Sequence, residues 1–263
     1  MNRQDYYNLM TPLGYSNKTL NSWGFRFIKM KNLDKKAVIL LSGGLDSATV
    51  VAIAKSESYD ITALSFRYGQ RHVHETAQAE IIASSFGISD HVVVDIDLRV
   101  FGNSALTDDI AVPKSKNVEA LPKEIPVTYV PARNTIFLSY ALALAEVRNA
   151  NTIMLGVNAL DYSGYPDCRP EFVVAFEELA KLATKRAVEG DGIEILAPLI
   201  NMSKSEIIAK GLSLGVDYSI TTSCYDPNEV NEACGSCDAC LLRLQGFREN
   251  GLTDPAVYQE SFG

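Results

Sequence analysis

The sequence predicts an α/β protein built on a doubly wound, mostly parallel β-sheet, with a metal-binding segment at its C-terminal end. Three observations point there. Short apolar runs alternate with helical segments from residue 37 to residue 214, as in strands covered on both faces by crossover helices. A turn rich in glycine and serine, Ser42-Gly43-Gly44-Leu45-Asp46-Ser47, joins the first strand to the first helix. Four of the five cysteines, Cys224, Cys234, Cys237 and Cys240, fall close together near the C-terminus.

Residues 1–29 show neither helical nor strand periodicity and are rich in Asn, Ser, Gly and Tyr. This stretch is expected to be a poorly ordered leader or a mis-assigned start, with Met30 opening the protein proper. Ala37-Val38-Ile39-Leu40-Leu41 then forms a buried strand, and 47–56 a helix. A second strand over 61–66, a helix over 72–86 and a third strand over 91–95 follow. Residues 99–125 make a long polar excursion. A helix spans 132–149, a strand 152–157, a helix 171–188, a short strand 193–197 and a helix 204–214. Right-handed crossovers put the pocket at the carboxyl ends of the strands, in the loops after Leu41, Phe66, Asp95, Val157 and Ala197.

Composition narrows the function. Of the 263 residues 47% are hydrophobic and 21% charged, which excludes a mainly disordered chain. No apolar run approaches the roughly 20 residues that span a bilayer, and no secretory signal opens the chain; a cytoplasmic protein is expected. A formal net charge of −8 favours small-molecule substrates over nucleic acid, which is gripped through basic surface. A homodimer is compatible with these features.

The Ser42–Ser47 turn suits an anion. Its glycines allow tight turning and close approach, Ser42 and Ser47 add hydroxyls, and the following helix points unsatisfied N–H groups at the loop. A plain strand-to-helix turn would use the same residue types. The pattern is not a Walker A loop, since no lysine follows, and it lacks a dinucleotide fingerprint.

The cysteines are spaced C-x9-C-x2-C-x2-C, and C-x2-C turns bring thiolates to one tetrahedral ion. Four sulfurs leave no open position, so the site is structural. A reducing compartment disfavours disulfides. An iron–sulfur run wants a fourth Cys at position 244 followed by proline, where Leu244-Gln245 stands, so the pattern favours one structural Zn2+.

Four more segments fall in the predicted pocket loops: Phe66-Arg67-Tyr68-Gly69-Gln70-Arg71-His72, Val130-Pro131-Ala132-Arg133-Asn134, Pro198-Leu199 before Ser203-Lys204-Ser205-Glu206, and Gly156-Val157-Asn158 leading to Asp161-Tyr162-Ser163-Gly164-Tyr165-Pro166-Asp167-Cys168-Arg169-Pro170-Glu171-Phe172. The last offers aromatic, hydroxyl, carboxylate and guanidinium groups suited to a flat polar base. Ser203 with Glu206 reads as a capping box. Cys168 reads as a small packed residue rather than a nucleophile.

Ser-Gly-Gly-x-Asp-Ser after a first strand resembles the PP-loop of the ATP pyrophosphatase superfamily, whose members adenylate a carboxylate, amide or carbonyl. With the other segments and the four cysteines in this order, the chain over about 36–250 resembles the 7-cyano-7-deazaguanine synthases of the queuosine pathway. The serine in Asp-Tyr-Ser-Gly-Tyr departs slightly from their pattern, and the leader has no counterpart.

The resemblance implies an adenine nucleotide alpha-hydrolase-like, Rossmann-like sheet, with a PP-loop domain over 30–220 and the zinc segment over 221–263 packed on it. It implies an ATP-dependent C–N ligase taking 7-carboxy-7-deazaguanine and ammonia to the nitrile through adenylated carboxylate and amide. ATP would lie on Leu41-Ser42-Gly43-Gly44-Leu45-Asp46-Ser47-Ala48-Thr49-Val50-Val51. Asp46, an anion among phosphates, is expected to need a Mg2+ ion. Arg71, His72 and Arg133 are candidates for phosphate or carboxylate contacts, and Asp161, Ser163, Tyr165, Asp167 and Arg169 for the base. A PP-loop tRNA-modifying enzyme of the thiolase kind is the alternative, against which the acidic charge speaks.

Overall fold

A computed structural model describes residues 35–70, 74–121, 124–160 and 164–260. The proposed leader, 1–29, lies outside the described residues. Residues 36–263 form one compact unit.

Its frame is a five-stranded sheet of β1 (Lys36–Leu40), β2 (Asp60–Arg67), β3 (Asp90–Asp95), β4 (Thr152–Met154) and β5 (Glu194–Leu196), in the order β3-β2-β1-β4-β5. Every pairing is parallel. Central β1 sets Ile39 opposite Ala63 on β2 and opposite Met154 on β4. From β1 the chain winds first toward β3, then returns across β1 to add β4 and β5. The winding therefore reverses between β1 and β4, the place where such sheets open a crevice at their carboxyl ends.

Alternation along the strands divides the core in two. Ala37, Ile39, Ile61 and Ala63 face one layer, with helices α1 (Leu45–Ser56) and α2 (His74–Ser85). Val38, Leu64 and Phe66 face the other, with α3 (Arg133–Arg148) and α4 (Pro170–Ala183). Nine of the twelve residues of α1 are buried, which marks it as a central helix rather than an amphipathic surface one. It is covered by α6 (Lys204–Ser213), and α7 (Asp238–Glu249) packs on α6 in turn. Gly211 on α6 permits this layering, since a Cβ there would lie 1.8 Å from the Tyr218 hydroxyl oxygen. That hydroxyl is bonded to Thr49 on α1 at 2.7 Å.

Three elements differ from the sequence reading. β4 stops at Met154 instead of 157, because the chain leaves the sheet at Gly156 to pass the loop after β1. A Cβ on Gly156 would lie 3.2 Å from the Ser47 backbone nitrogen. The expected helix over 171–188 breaks at Thr184, which is extended and caps the short α5 (Lys185–Val188) by accepting from the Ala187 N–H. α7 was not foreseen; its apolar positions are hidden among the cysteine segment's polar residues. The capping box of Ser203 and Glu206 is present in full.

Candidate active site and metal centre

The loop after β1 is shaped by its glycines. Gly43 has φ +82°, and a Cβ there would lie 2.5 Å from the Glu75 carbonyl oxygen, so only glycine fits without strain. The Ser42 N–H donates to the Ser47 hydroxyl at 3.2 Å, which itself donates to the Gly44 carbonyl at 3.0 Å. The loop is braced from the C-terminal segment by Thr222 N–H donating to the Gly43 carbonyl at 3.0 Å. No side chain caps α1 at Gly44. A helix N-terminus with glycine at its N-cap and only a 3.5 Å contact from the Leu45 N–H to the Ser223 hydroxyl, behind a glycine turn at the switch point of the sheet, is a ready anion site.

Asp46, on the first turn of α1, accepts from Lys204 Nζ at 2.7 and 3.0 Å through its two oxygens. The lysine side chain is 7% exposed and the aspartate 22%. The protein thus sets a cation of its own beside Asp46.

Arg133 stands at the entry of α3, after Ala132 in the left-handed region. Its guanidinium carbon lies 5.9 Å from the ring centroids of both Tyr68 and Phe137. Burial works against its charge, but the oxygens of Tyr68, Tyr165 and Tyr225 and the Cys168 sulfur outweigh it, and its pKa stands above the ordinary arginine value. Nearby, Glu75 on α2 accepts from the Gln70 amide at 3.4 Å. Burial pushes its carboxyl up to about 7 against the opposing pull of Arg133 and Gln70.

The loop before α4 is only partly a surface. Tyr165 is buried, its hydroxyl 2.8 Å from that of Thr128. Asp167 is also buried and accepts from the backbone N–H of Asn134 at 3.1 Å, closing the start of α3. Desolvation raises its pKa, opposed by that hydrogen bond and by Arg133. Burial also lifts the Cys168 thiol to about 12, Asp167 adding to the effect, so it is neutral at pH 7 and a poor nucleophile. Arg169 is exposed.

The four cysteines converge. The Sγ atoms of Cys224, Cys234, Cys237 and Cys240 all lie within 4.8 Å of one another. Backbone N–H groups point at them: Asp226 and Cys234 toward Cys224 at 3.3 and 3.2 Å, and Cys237 toward Cys234 at 3.3 Å. Sulfurs so gathered, partly buried and receiving N–H bonds that favour thiolates, fit one tetrahedral ion without an open position. From the excursion, residues 105–115 fold over this knuckle. Lys114 pairs with Asp226 at 2.8 Å, Ser115 N–H donates to the Ser236 carbonyl at 2.8 Å, and Ala105 and Val112 pack among the cysteines. Behind it, buried Arg243 on α7 meets Asp254 at 2.8 and 2.9 Å and donates to Thr221 and Tyr218.

The profile described as queuosine biosynthesis protein QueC matches residues 36–251. The chain belongs to the QueC family. Three relatives, each described as a 7-cyano-7-deazaguanine synthase, match nearly end to end. That of Paramagnetospirillum magneticum is 64% identical over 85% of this chain and 99% of its own length. Those of Kineococcus radiotolerans and Citrifermentans bemidjiense are each 60% identical, over 86% and 87% of this chain and 99% and 100% of their own lengths.

In this QueC-family chain the loop over 41–47, Arg133, Tyr165 and Cys168 gather at the carboxyl edge of the sheet. Arg71, His72, Asp161 and Ser163 lie outside the described residues. Asp167 is buried against the start of α3. Among the described residues, sequence reasoning placed Lys204 in a pocket segment without giving it a role, and missed Glu75, Lys114 and Tyr225. Lys204 did carry a signal: a lysine on the first turn of a helix opposes the dipole and calls for an anion in front of it. The others had none, because distant segments bring their partners.

Proposed function

We propose that the protein is an ATP-dependent C–N ligase converting 7-carboxy-7-deazaguanine and ammonia to 7-cyano-7-deazaguanine. Support comes first from the α1 N-terminus, with glycine at its N-cap behind left-handed Gly43, which suits the phosphates of ATP. The relatives' shared description names the product, 7-cyano-7-deazaguanine.

A carboxylate repels nucleophiles and has no good leaving group. Transfer of AMP from ATP to the 7-carboxylate releases pyrophosphate and makes one oxygen part of a good leaving group. Ammonia then attacks the carbonyl carbon, AMP departs with that oxygen, and an amide and a proton result. A second ATP adenylates the amide oxygen; loss of AMP and the nitrogen protons leaves the nitrile.

The chain's contribution is position and charge. Ser42, Gly43, Gly44 and Ser47 would cradle the phosphates. Lys204, held buried beside Asp46, would offer its ammonium to them, freeing Asp46 as an oxygen ligand. Mg2+ carried with ATP would neutralise phosphate charge there. Arg133 would meet the carboxylate or the phosphate that joins it. Asp161, Ser163, Tyr165 and Arg169 are proposed on the base side, with Arg71 and His72 toward the phosphates. Asp167 would serve by closing α3 and so fixing Arg133. Zn2+ in the cysteine knuckle would hold the C-terminal segment against the loop after β1 and take no part in bond making.

Isotope transfer tests the adenylation. With both carboxylate oxygens labelled by 18O, the label should pass into the phosphate of AMP. Label appearing in inorganic phosphate alone would overturn adenylation in favour of phosphorylation.

A further inference from the structure

Tyr225 ties the metal knuckle to the pocket. It follows Cys224, and its backbone N–H lies 3.5 Å from Cys237 Sγ, so the knuckle sets where the residue begins. Its side chain then leaves the knuckle. It packs against both the small apolar cluster around the cysteines and the larger one between the sheet and helices α3 and α4. Its hydroxyl hydrogen-bonds that of Tyr165, which also meets Thr128, and it lies within electrostatic reach of Arg133.

The excursion reaches the same place by a second route. Ala105, packed among the cysteines, donates its N–H to the Val127 carbonyl at 2.8 Å, next to Thr128. Glu124 and Pro126 close on Gly164, where a Cβ would lie 2.8 Å from the Glu124 carbonyl oxygen. Both routes out of the cysteine cluster therefore end at Gly164 and Tyr165. A phenol has one donor and can accept, so Tyr225, Tyr165 and Thr128 form a hydroxyl chain whose far end is fixed by the knuckle.

We propose that Tyr225 is a positioning residue that passes the geometry of the metal knuckle to the loop carrying Tyr165, and so sets affinity for the deazaguanine substrate. The proposal rests on the reaction proposed above. It gives the metal a consequence in the pocket without placing it near the chemistry. It also separates the substrates: ATP meets the loop after β1, which is braced by Thr222 on the other side of Cys224, so Tyr225 should bear on the deazaguanine alone.

Y225F removes the hydroxyl and keeps the ring's packing. Losing one hydrogen bond should raise KM for 7-carboxy-7-deazaguanine about tenfold, with kcat and the KM for ATP within about twofold. Bound metal per chain should stay as in the wild type. A second readout needs no turnover. With Co2+ in place of the native ion, the thiolate charge-transfer absorption should shift when 7-carboxy-7-deazaguanine binds the wild type and stay still in Y225F. Wild-type turnover with an unchanged KM and the same absorption shift in Y225F overturns the inference and leaves the reaction standing. A wild type that neither binds nor turns over the deazaguanine overturns both.

Discussion

Lys204 holds Asp46 by both carboxylate oxygens, at 2.7 and 3.0 Å, across the crevice between α6 and the first turn of α1. Neither charge stands alone beside the loop after β1. The pair keeps the loop after β1 charge-balanced, and under the proposed function ATP would exchange one ionic partner for another rather than desolvate a bare lysine. The two substitutions should be unequal. Asp46→Asn strands an ammonium that is 7% exposed, whereas Lys204→Met leaves a carboxylate that is 22% exposed and can recruit water. D46N should cost roughly 2–4 kcal/mol in urea unfolding and K204M less, and the double variant less than the sum. Strict additivity would mean the pair contributes no coupling.

The metal centre predicts a folding effect. The purified chain should carry one zinc, colourless and resistant to mild chelation. Forced removal should expose the knuckle thiols to a thiol reagent and lower Tm by roughly 10 °C or more. Visible absorption from bound iron would replace zinc with a cluster.

Glu75 predicts a pH effect with a definite sign. Its folded pKa is raised to about 7, above that of an unfolded glutamate. Its contribution is therefore intact at acid pH and lost as pH rises through about 7. Glu75→Gln should match the wild type in stability near pH 5 and exceed it by roughly 2 kcal/mol near pH 8.5. Parallel stability curves across this range would place the Glu75 carboxyl at its ordinary pKa.

Cys168 should be dispensable for chemistry. It is 5% exposed and its thiol is lifted to about 12, so alkylation of the native protein at pH 8 should spare it. Cys168→Ala should keep kcat within about twofold and cost on the order of 1 kcal/mol in stability. A trapped covalent adduct on Cys168 would contradict this.

The frame was legible because its signals are local. Buried strands such as Ala37–Leu41, the glycine turn, the capping box at Ser203 and the cysteine spacing each need only a few adjacent residues. What escaped depends on distant partners. The partner of Lys204 appears only once α6 lies against α1, and the role of Glu75 only beside Arg133. Asp167 also meets the start of α3 through the Asn134 N–H, a partner the sequence does not reveal. The excursion 99–125 looked like a polar loop because its function, to cover the cysteines through Ala105, Val112 and Lys114, is carried by scattered residues without period.

The most direct test is one incubation of zinc-replete protein with Mg·ATP, ammonium and 7-carboxy-7-deazaguanine, followed by mass spectrometry. The account predicts the nitrile together with AMP. Nitrile with ADP would keep the conversion and contradict adenylation at the loop after β1, and no nitrile from folded, metal-loaded protein would contradict the assignment itself.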